Sequence, residues 1–177
     1  MNAIAWILVP TQETGVGMDI SKKMLEIGKA KVTKEKLGNQ IELHLGDAAT
    51  LPFEDNRFDA VTVAFGVRNF ENLEQGLSEI HRLLKPNGQV VILEFSMPEL
   101  FPVKQVYQLY FKHILPKIGK WISKDASAYA YLPASVEAFP KPADFVHVLS
   151  SHGFRNATTK PLTFGIATLY TAIVGNP

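Results

Sequence analysis

From Gly15 onward, short apolar runs alternate with stretches of helical period, and this alternation constrains the fold more than any other feature. Gly15–Ile20 reads as a short buried strand closing on an acid, and Ser21 stands where a helix N-cap belongs. Met24, Leu25, Ile27, Val32 and Leu37 give roughly helical spacing over Lys22–Leu37, and Gly38-Asn39 is expected to stop that helix. Ile41, Leu43 and Leu45 alternate with Glu42 and His44, the period of a strand. Phe58–Phe65 is a strand rich in β-branched residues. Leu73–Leu84 puts Leu77, Ile80, Leu83 and Leu84 on one helical face; Lys85–Gly88 breaks it, and Gln89–Phe95 is another apolar strand. Asp144–His152 reads as a short helix closed by Gly153. Phe154–Thr159 and Ile166–Val174 read as a terminal hairpin parted at Lys160-Pro161. Strands and helices in this rhythm predict an α/β protein with a mostly parallel sheet.

The 177 residues predict one domain, 1–177, at about 100–200 residues per domain. A net charge of +1 gives no electrostatic reason to expect a nucleic-acid partner. The absence of cysteine excludes a disulfide scaffold, a thiolate zinc site and a cysteine nucleophile. His44, His81, His147 and His152 show no ligand spacing and read as surface residues, so no metal site is expected. No apolar run reaches the roughly 18 residues of a spanning helix. Ala3–Val9 lacks the positive flank and cleavage site of a signal peptide. The expected setting is cytoplasmic.

In parallel α/β sheets the ligand lies at the carboxyl ends of the strands. That rule selects Asp19, Asp47, Ala64–Asn69 and Glu94–Ser96. A carboxylate at Asp19 can accept from both hydroxyls of a ribose, or merely stabilise a helix start. Asp47 with the Ala48 amide can bond an adenine edge, or form an ordinary turn. Glu94 and Ser96 can face the site or serve as strand-end turn residues.

Several runs carry a resemblance: Asp19-Ile20-Ser21 with Met24-Leu25; Gly46-Asp47-Ala48 with Leu51-Pro52-Phe53; Asn56-Arg57-Phe58-Asp59; and Leu84–Gly88. They resemble the successive motifs of class I methyltransferases that use S-adenosylmethionine. Phe65-Gly66-Val67-Arg68-Asn69, Arg82–Gly88 running into Leu93-Glu94-Phe95-Ser96, and Asp125-Ala126 with Tyr129–Leu132 are similar to a narrower family. That family is the quinone-biosynthesis C-methyltransferases, called UbiE/MenG in bacteria. The resemblance implies a Rossmann-like sheet, S-adenosylmethionine held at Asp19, Ile20, Asp47, Ala48 and Ala64, and a polyprenyl quinol acceptor. It implies that Arg68 stabilises the phenolate or orients a water, with Asn69 and Tyr129 holding ring oxygens; the other reading of Arg68 is a surface ion pair with Glu71 or Glu74. Tyr107–Trp121, with His113, would bound a pocket for the polyprenyl tail or simply pack as core. Pro116 should kink or end a helix there. The resemblance also allows peripheral membrane contact and a homodimer.

Two departures stand out. Asn87-Gly88 replaces the family's Gly-Gly, a change tolerable because Asn accepts positive φ. The family's glycine-rich loop should precede Asp19 by roughly 20 residues, and the residues before Asp19 contain no G-x-G-x-G. The chain thus resembles a member cut at its amino end, lacking the first strand and that loop. Met1–Thr14 is expected to be the helix that follows the loop, leaving a central slot in the sheet; the other reading makes Ala3–Val9 a replacement strand. The functions in play are quinol C-methylation, an inactive methyltransferase-like binding module, and methylation of another small molecule.

Overall fold

The computed structural model describes residues 4–7, 15–114 and 126–175. Seven strands form one sheet: β1 (Ile4–Ile7), β2 (Gly15–Asp19), β3 (Ile41–Leu45), β4 (Phe58–Ala64), β5 (Leu84–Phe95), β6 (Phe154–Leu162) and β7 (Ala167–Val174). Their order is β3-β2-β1-β4-β5-β7-β6. β2 pairs with β3, and β4 with β5, in parallel; β7 runs antiparallel to both β5 and β6. The helices are α1 (Lys22–Lys34), α2 (Leu73–Leu83), α3 (Val103–Leu109), α4 (Ala126–Ala138) and α5 (Pro142–Ser151), and α3 continues as a π-helical turn over Tyr110–Ile114. None of the described helices is long and apolar enough to cross a membrane.

The core sits where the sheet meets α2 and α5. Val61 and Val63 of β4, Val90 and Ile92 of β5, and Tyr170 and Ala172 of β7 are buried against Leu77, Ile80 and Leu83 of α2 and Phe145 and Leu149 of α5. Each large apolar side chain so buried contributes about 1.5–3 kcal/mol. The caps follow the sequence. Ser21 accepts from the Met24 amide and Asn72 from the Gln75 amide, each satisfying an orphan donor of the first turn.

The amino-terminal expectation of a helix and an open slot is corrected. β1 lies in that slot, antiparallel to both neighbours, with Ile4 opposite Ala64 and Ala5 opposite both Met18 and Val63. The physical reason is the ladder. Left unpaired, β2 and β4 would each bury backbone donors and acceptors, at about 1–3 kcal/mol per group. The apolar sequence Ile-Ala-Trp-Ile suits a central position. Only residues 8–14 separate β1 from β2, too few for the dozen or so a parallel crossover needs, so the strand enters antiparallel.

Three smaller expectations also shift. α1 ends before Gly38, because Lys36 itself adopts a left-handed φ of 57°. The Lys36 amide then bonds the Thr33 carbonyl and the Leu37 amide the Val32 carbonyl, a Schellman ending without glycine. The terminal hairpin turns at Thr163–Gly165, not at Lys160-Pro161. Pro161 lies within β6, which is tolerated because β6 is an edge strand. His81 and His152 are half-buried, His81 edge-on to Phe154 and His152 bonded to the Val148 carbonyl and Glu74.

Asn87 takes a φ of 64° in a bulge where β5 shifts register against β4. Beside it, a Cβ on Gly88 would stand 2.8 Å from the Lys85 carbonyl oxygen, so glycine is required there. The expectation for Pro116 lies outside the described residues.

Candidate functional site

The strand order lines up the carboxyl ends of β3, β2, β4 and β5, and with them Asp47, Asp19, Ala64 and Glu94. Asp19 is 3% exposed. Its Oδ1 accepts the Ser21 amide at 2.7 Å, while Oδ2 is buried with no hydrogen-bond partner among the described residues. Asp19 lines a small cleft whose other walls include Met18, Met24, Leu25 and Leu43. Desolvation there pushes its pKa up, against the smaller lowering effect of the Ser21 bond. Asp19 therefore supports the helix start with one oxygen and keeps an acceptor free with the other.

The chain leaves β3 close by. The Gly46 amide donates to the Asp19 carbonyl at 3.2 Å, and a Cβ on Gly46 would collide with Met18. Asp47 is exposed, its Oδ1 accepting the Ala49 amide at 2.9 Å in a tight turn. Ala48 is half-buried, whereas Ile20 and Ala64 are exposed. The five residues expected at the donor thus lie along one edge, with a buried acceptor at Asp19 and an exposed carboxylate at Asp47.

β4 ends abruptly. Phe65 adopts a φ of 56°, uncommon for a bulky residue and costing about 1–2 kcal/mol. Its carbonyl thereby accepts from Arg68 Nη1 at 2.7 Å and from Asn69 Nδ2 at 3.3 Å. Arg68 does not pair with Glu71 or Glu74. Its guanidinium is 2% exposed and donates to Glu94, which is wholly buried, at 2.5 Å. Glu94 also accepts the Arg68 and Phe95 amides, and Arg68 lies over the Phe95 ring at 5.2 Å. The register that sets Ala64 opposite Leu93 brings these two residues together. Arg68 Nε is buried with no partner among the described residues. Glu94 is thus a charge partner rather than a turn residue. Ser96 bonds the Gly165 carbonyl and Thr168, tying the β5 exit to the terminal hairpin.

Asn69 Oδ1 accepts from the hydroxyl of Tyr131 at 3.0 Å. Tyr129 lies in α4, and its side chain is outside the described residues. Tyr107 is buried and rests on Phe111 at 4.2 Å, while His113 is exposed. The Leu51-Pro52-Phe53 motif proves architectural: Arg82 bonds the carbonyls of Leu51 and Phe53 together with Glu79 and Asp55. Those bonds hold the Glu79 carboxyl below its ordinary pKa.

Sequence reasoning missed the Glu94 partnership, the carbonyl role of Phe65 and the Tyr131 contact. The signal for the first was present, since Arg68 follows β4 and Glu94 lies at the end of β5, its parallel neighbour.

The strand order and the acids at successive strand ends define a class I methyltransferase fold. Phosphoethanolamine N-methyltransferase 2 of Haemonchus contortus, solved with S-adenosylhomocysteine, shares it with a TM-score of 0.65 at 16% identity, over 91% of this chain and 43% of that one. A putative methyltransferase of Bacillus halodurans shares it with a TM-score of 0.60 at 20% identity, over 91% and 83%. The model of the ubiE/COQ5 methyltransferase family matches residues 7–174, and the chain belongs to that family. It is 50% identical over 157 residues to the demethylmenaquinone methyltransferase of Bacteroides fragilis, covering 89% of this chain and 64% of that protein. It is 44% identical over 162 residues to the ubiquinone/menaquinone biosynthesis C-methyltransferase UbiE of Geotalea daltonii, covering 92% and 68%. The chain spans about two thirds of the length of these relatives.

Proposed function

We propose that the protein transfers a methyl group from S-adenosylmethionine to a ring carbon of a polyprenyl quinol, demethylmenaquinol or 2-polyprenyl-6-methoxy-1,4-benzoquinol. The observation that carries this reading is the free, buried Oδ2 of Asp19 at the end of β2, in a chain 50% identical to a demethylmenaquinone methyltransferase. A buried acceptor without a partner fits the diol of the donor's ribose, and the exposed Asp47 with the Ala48 amide fits its adenine. Ile20 and Ala64 supply apolar contact beside them. When bound, S-adenosylmethionine supplies an electrophilic methyl group.

The remaining work falls to this chain's residues. Arg68, fixed by Glu94 and the Phe65 carbonyl, stabilises negative charge on the ring oxygen whose proton is lost. Asn69 holds a second ring oxygen together with Tyr131, and Tyr129 belongs to the same helix. Fixed donors aimed at developing charge cost no reorganisation during reaction. Leu100, Phe101, Val106 and Leu109 are exposed beside Lys104, and we assign this apolar surface to contact with the bilayer that holds the polyprenyl tail.

Calorimetric titration with S-adenosylhomocysteine tests the donor site. Asp19→Ala should weaken binding by about 1.5–3 kcal/mol, the range for hydrogen bonds to a charged group. Equal affinity in variant and parent, or no binding by the parent, contradicts the reading.

A further inference from the structure

The tip of the β6–β7 hairpin is built from residues that resist the shape they take. Thr163, Phe164 and Gly165 all adopt left-handed backbone, at φ of 47°, 57° and 89°. Glycine takes such angles freely, whereas a β-branched threonine or a bulky phenylalanine takes them under strain. The result is a phenylalanine turned out to water, 72% exposed. Strain that persists in a well-held loop points to a use, and this loop is well held. The Ser96 hydroxyl donates to the Gly165 carbonyl at 2.8 Å and meets the Thr168 hydroxyl at 2.8 Å, and the Ser96 amide donates to the Ile166 carbonyl at 3.0 Å. A Cβ on Gly165 would stand 3.4 Å from Pro98 Cα, so the tip lies against the segment that leads from β5 to Leu100 and Phe101. Those two are 62% and 81% exposed. Ala167 stands opposite Phe95, which puts tip and segment at the carboxyl end of β5, the edge that carries Asp19, Ala64 and Glu94.

The two segments that meet there are also of one sign. Leu100–Ile114 and Phe154–Val174 hold Lys104, Lys112, Arg155 and Lys160 and no aspartate or glutamate, in a chain whose net charge is only +1. Lys104 and Lys160 are exposed. Exposed apolar side chains accompanied by cations fit the surface of an anionic bilayer, where the former enter the headgroup region and the latter meet phosphate. We propose that the hairpin tip is a membrane anchor, with Phe164 entering the headgroup region of an anionic bilayer beside Leu100 and Phe101. Resting on the polyprenyl quinol reading, this extends bilayer contact from α3 to a fixed loop at the edge of the site, so that the ring enters the protein while the tail stays in lipid. The strain at Phe164 is then retained for a physical reason: a tip of glycine or asparagine would relax the backbone and leave nothing to insert.

The test is co-sedimentation of the full chain, without quinol, with vesicles of equal parts phosphatidylcholine and phosphatidylglycerol, and with vesicles of phosphatidylcholine alone. Phe164→Gly removes the ring and relieves the strain. It should melt no lower than the parent, yet bind the anionic vesicles about tenfold more weakly, the effect of withdrawing one large apolar side chain from the interface. Phe164→Trp should bind them as the parent does, since tryptophan suits the headgroup level. Ile27→Ala trims an exposed residue of α1, which packs on β2 and β3 at the far side of the sheet, and should also bind as the parent does. Phosphatidylcholine alone should hold the parent more weakly than the anionic mixture. Equal binding by Phe164→Gly and the parent, equal losses for Phe164→Gly and Ile27→Ala, or no preference for the anionic mixture would overturn the anchor. So would a parent that leaves the vesicles alone and forms a dimer lost in Phe164→Gly, which would mark the tip as an interface between copies. A parent that binds S-adenosylhomocysteine but not the vesicles would remove the anchor and spare the methyltransferase reading. One that binds the vesicles through Phe164 but not S-adenosylhomocysteine would keep the anchor and remove that reading instead.

Discussion

Arg68 donates to Glu94 at 2.5 Å from a side chain almost wholly withdrawn from water, joining the ends of two neighbouring parallel strands. Removing one member of a buried pair strands the other's charge, at about 3–5 kcal/mol. Arg68→Ala and Glu94→Ala should each lower stability by that order, a large part of a typical total of about 5–15 kcal/mol. The double variant should lose clearly less than the sum, because the stranded charge is gone. Urea unfolding of the four chains gives the coupling; simple additivity would mean the two charges do not depend on one another.

Asp19 supplies a pH signature. Its folded pKa lies above the ordinary 3.8, so its contribution favours the fold below that value and is lost as pH rises through the raised pKa. At pH 7 the buried carboxylate is a burden that the neutral amide of Asp19→Asn does not carry. The variant should melt higher than the parent at pH 7 by roughly 2–4 °C for each kcal/mol relieved. The difference should vanish near pH 3.5. A lower melting temperature for Asp19→Asn at pH 7 would show that a further partner stabilises the charge.

Gly88 is confined by backbone on two sides, the Lys85 and Asp59 carbonyl oxygens at 2.8 and 3.2 Å from where a Cβ would stand. Carbonyls in a strand bulge cannot swing aside as a side-chain tip can. Gly88→Ala should destabilise by about 1–3 kcal/mol, as overpacking does. Asn87→Gly, at a φ of 64°, should be nearly neutral. A neutral Gly88→Ala would mean that the bulge rearranges freely.

Much of this architecture was legible in the residues. A period-two run marked β3, short apolar or β-branched runs marked β2, β4 and the Gln89–Phe95 part of β5, and the acids closing β2 and β3 marked the edge where the buried Oδ2 of Asp19 is found. What escaped depended on partners distant in sequence. The direction of β1 is set by the two open ladders beside it and by a connection too short for a crossover, and neither is visible in Ile-Ala-Trp-Ile. Lys36 ends α1 in a conformation usually left to glycine, which Gly38 nearby concealed. Pro161 reads as a turn residue until β6 is known to be an edge. Glu94 looks like a strand-end acid until the β4–β5 register sets it against Arg68. The motif holding both Tyr129 and Tyr131 is plain, yet only the packing of α4 puts the Tyr131 hydroxyl on Asn69.

The central claim is methyl transfer to a quinol ring, and mass spectrometry of the product tests it most directly. The full chain, given S-adenosylmethionine and a reduced, short-tailed demethylmenaquinol, should yield a quinol heavier by one methylene, together with S-adenosylhomocysteine. Arg68→Ala should abolish nearly all of that product while keeping S-adenosylhomocysteine affinity, the pattern of a group that acts on the acceptor. A parent chain that binds the donor and the quinol yet forms no methylated product would contradict the account.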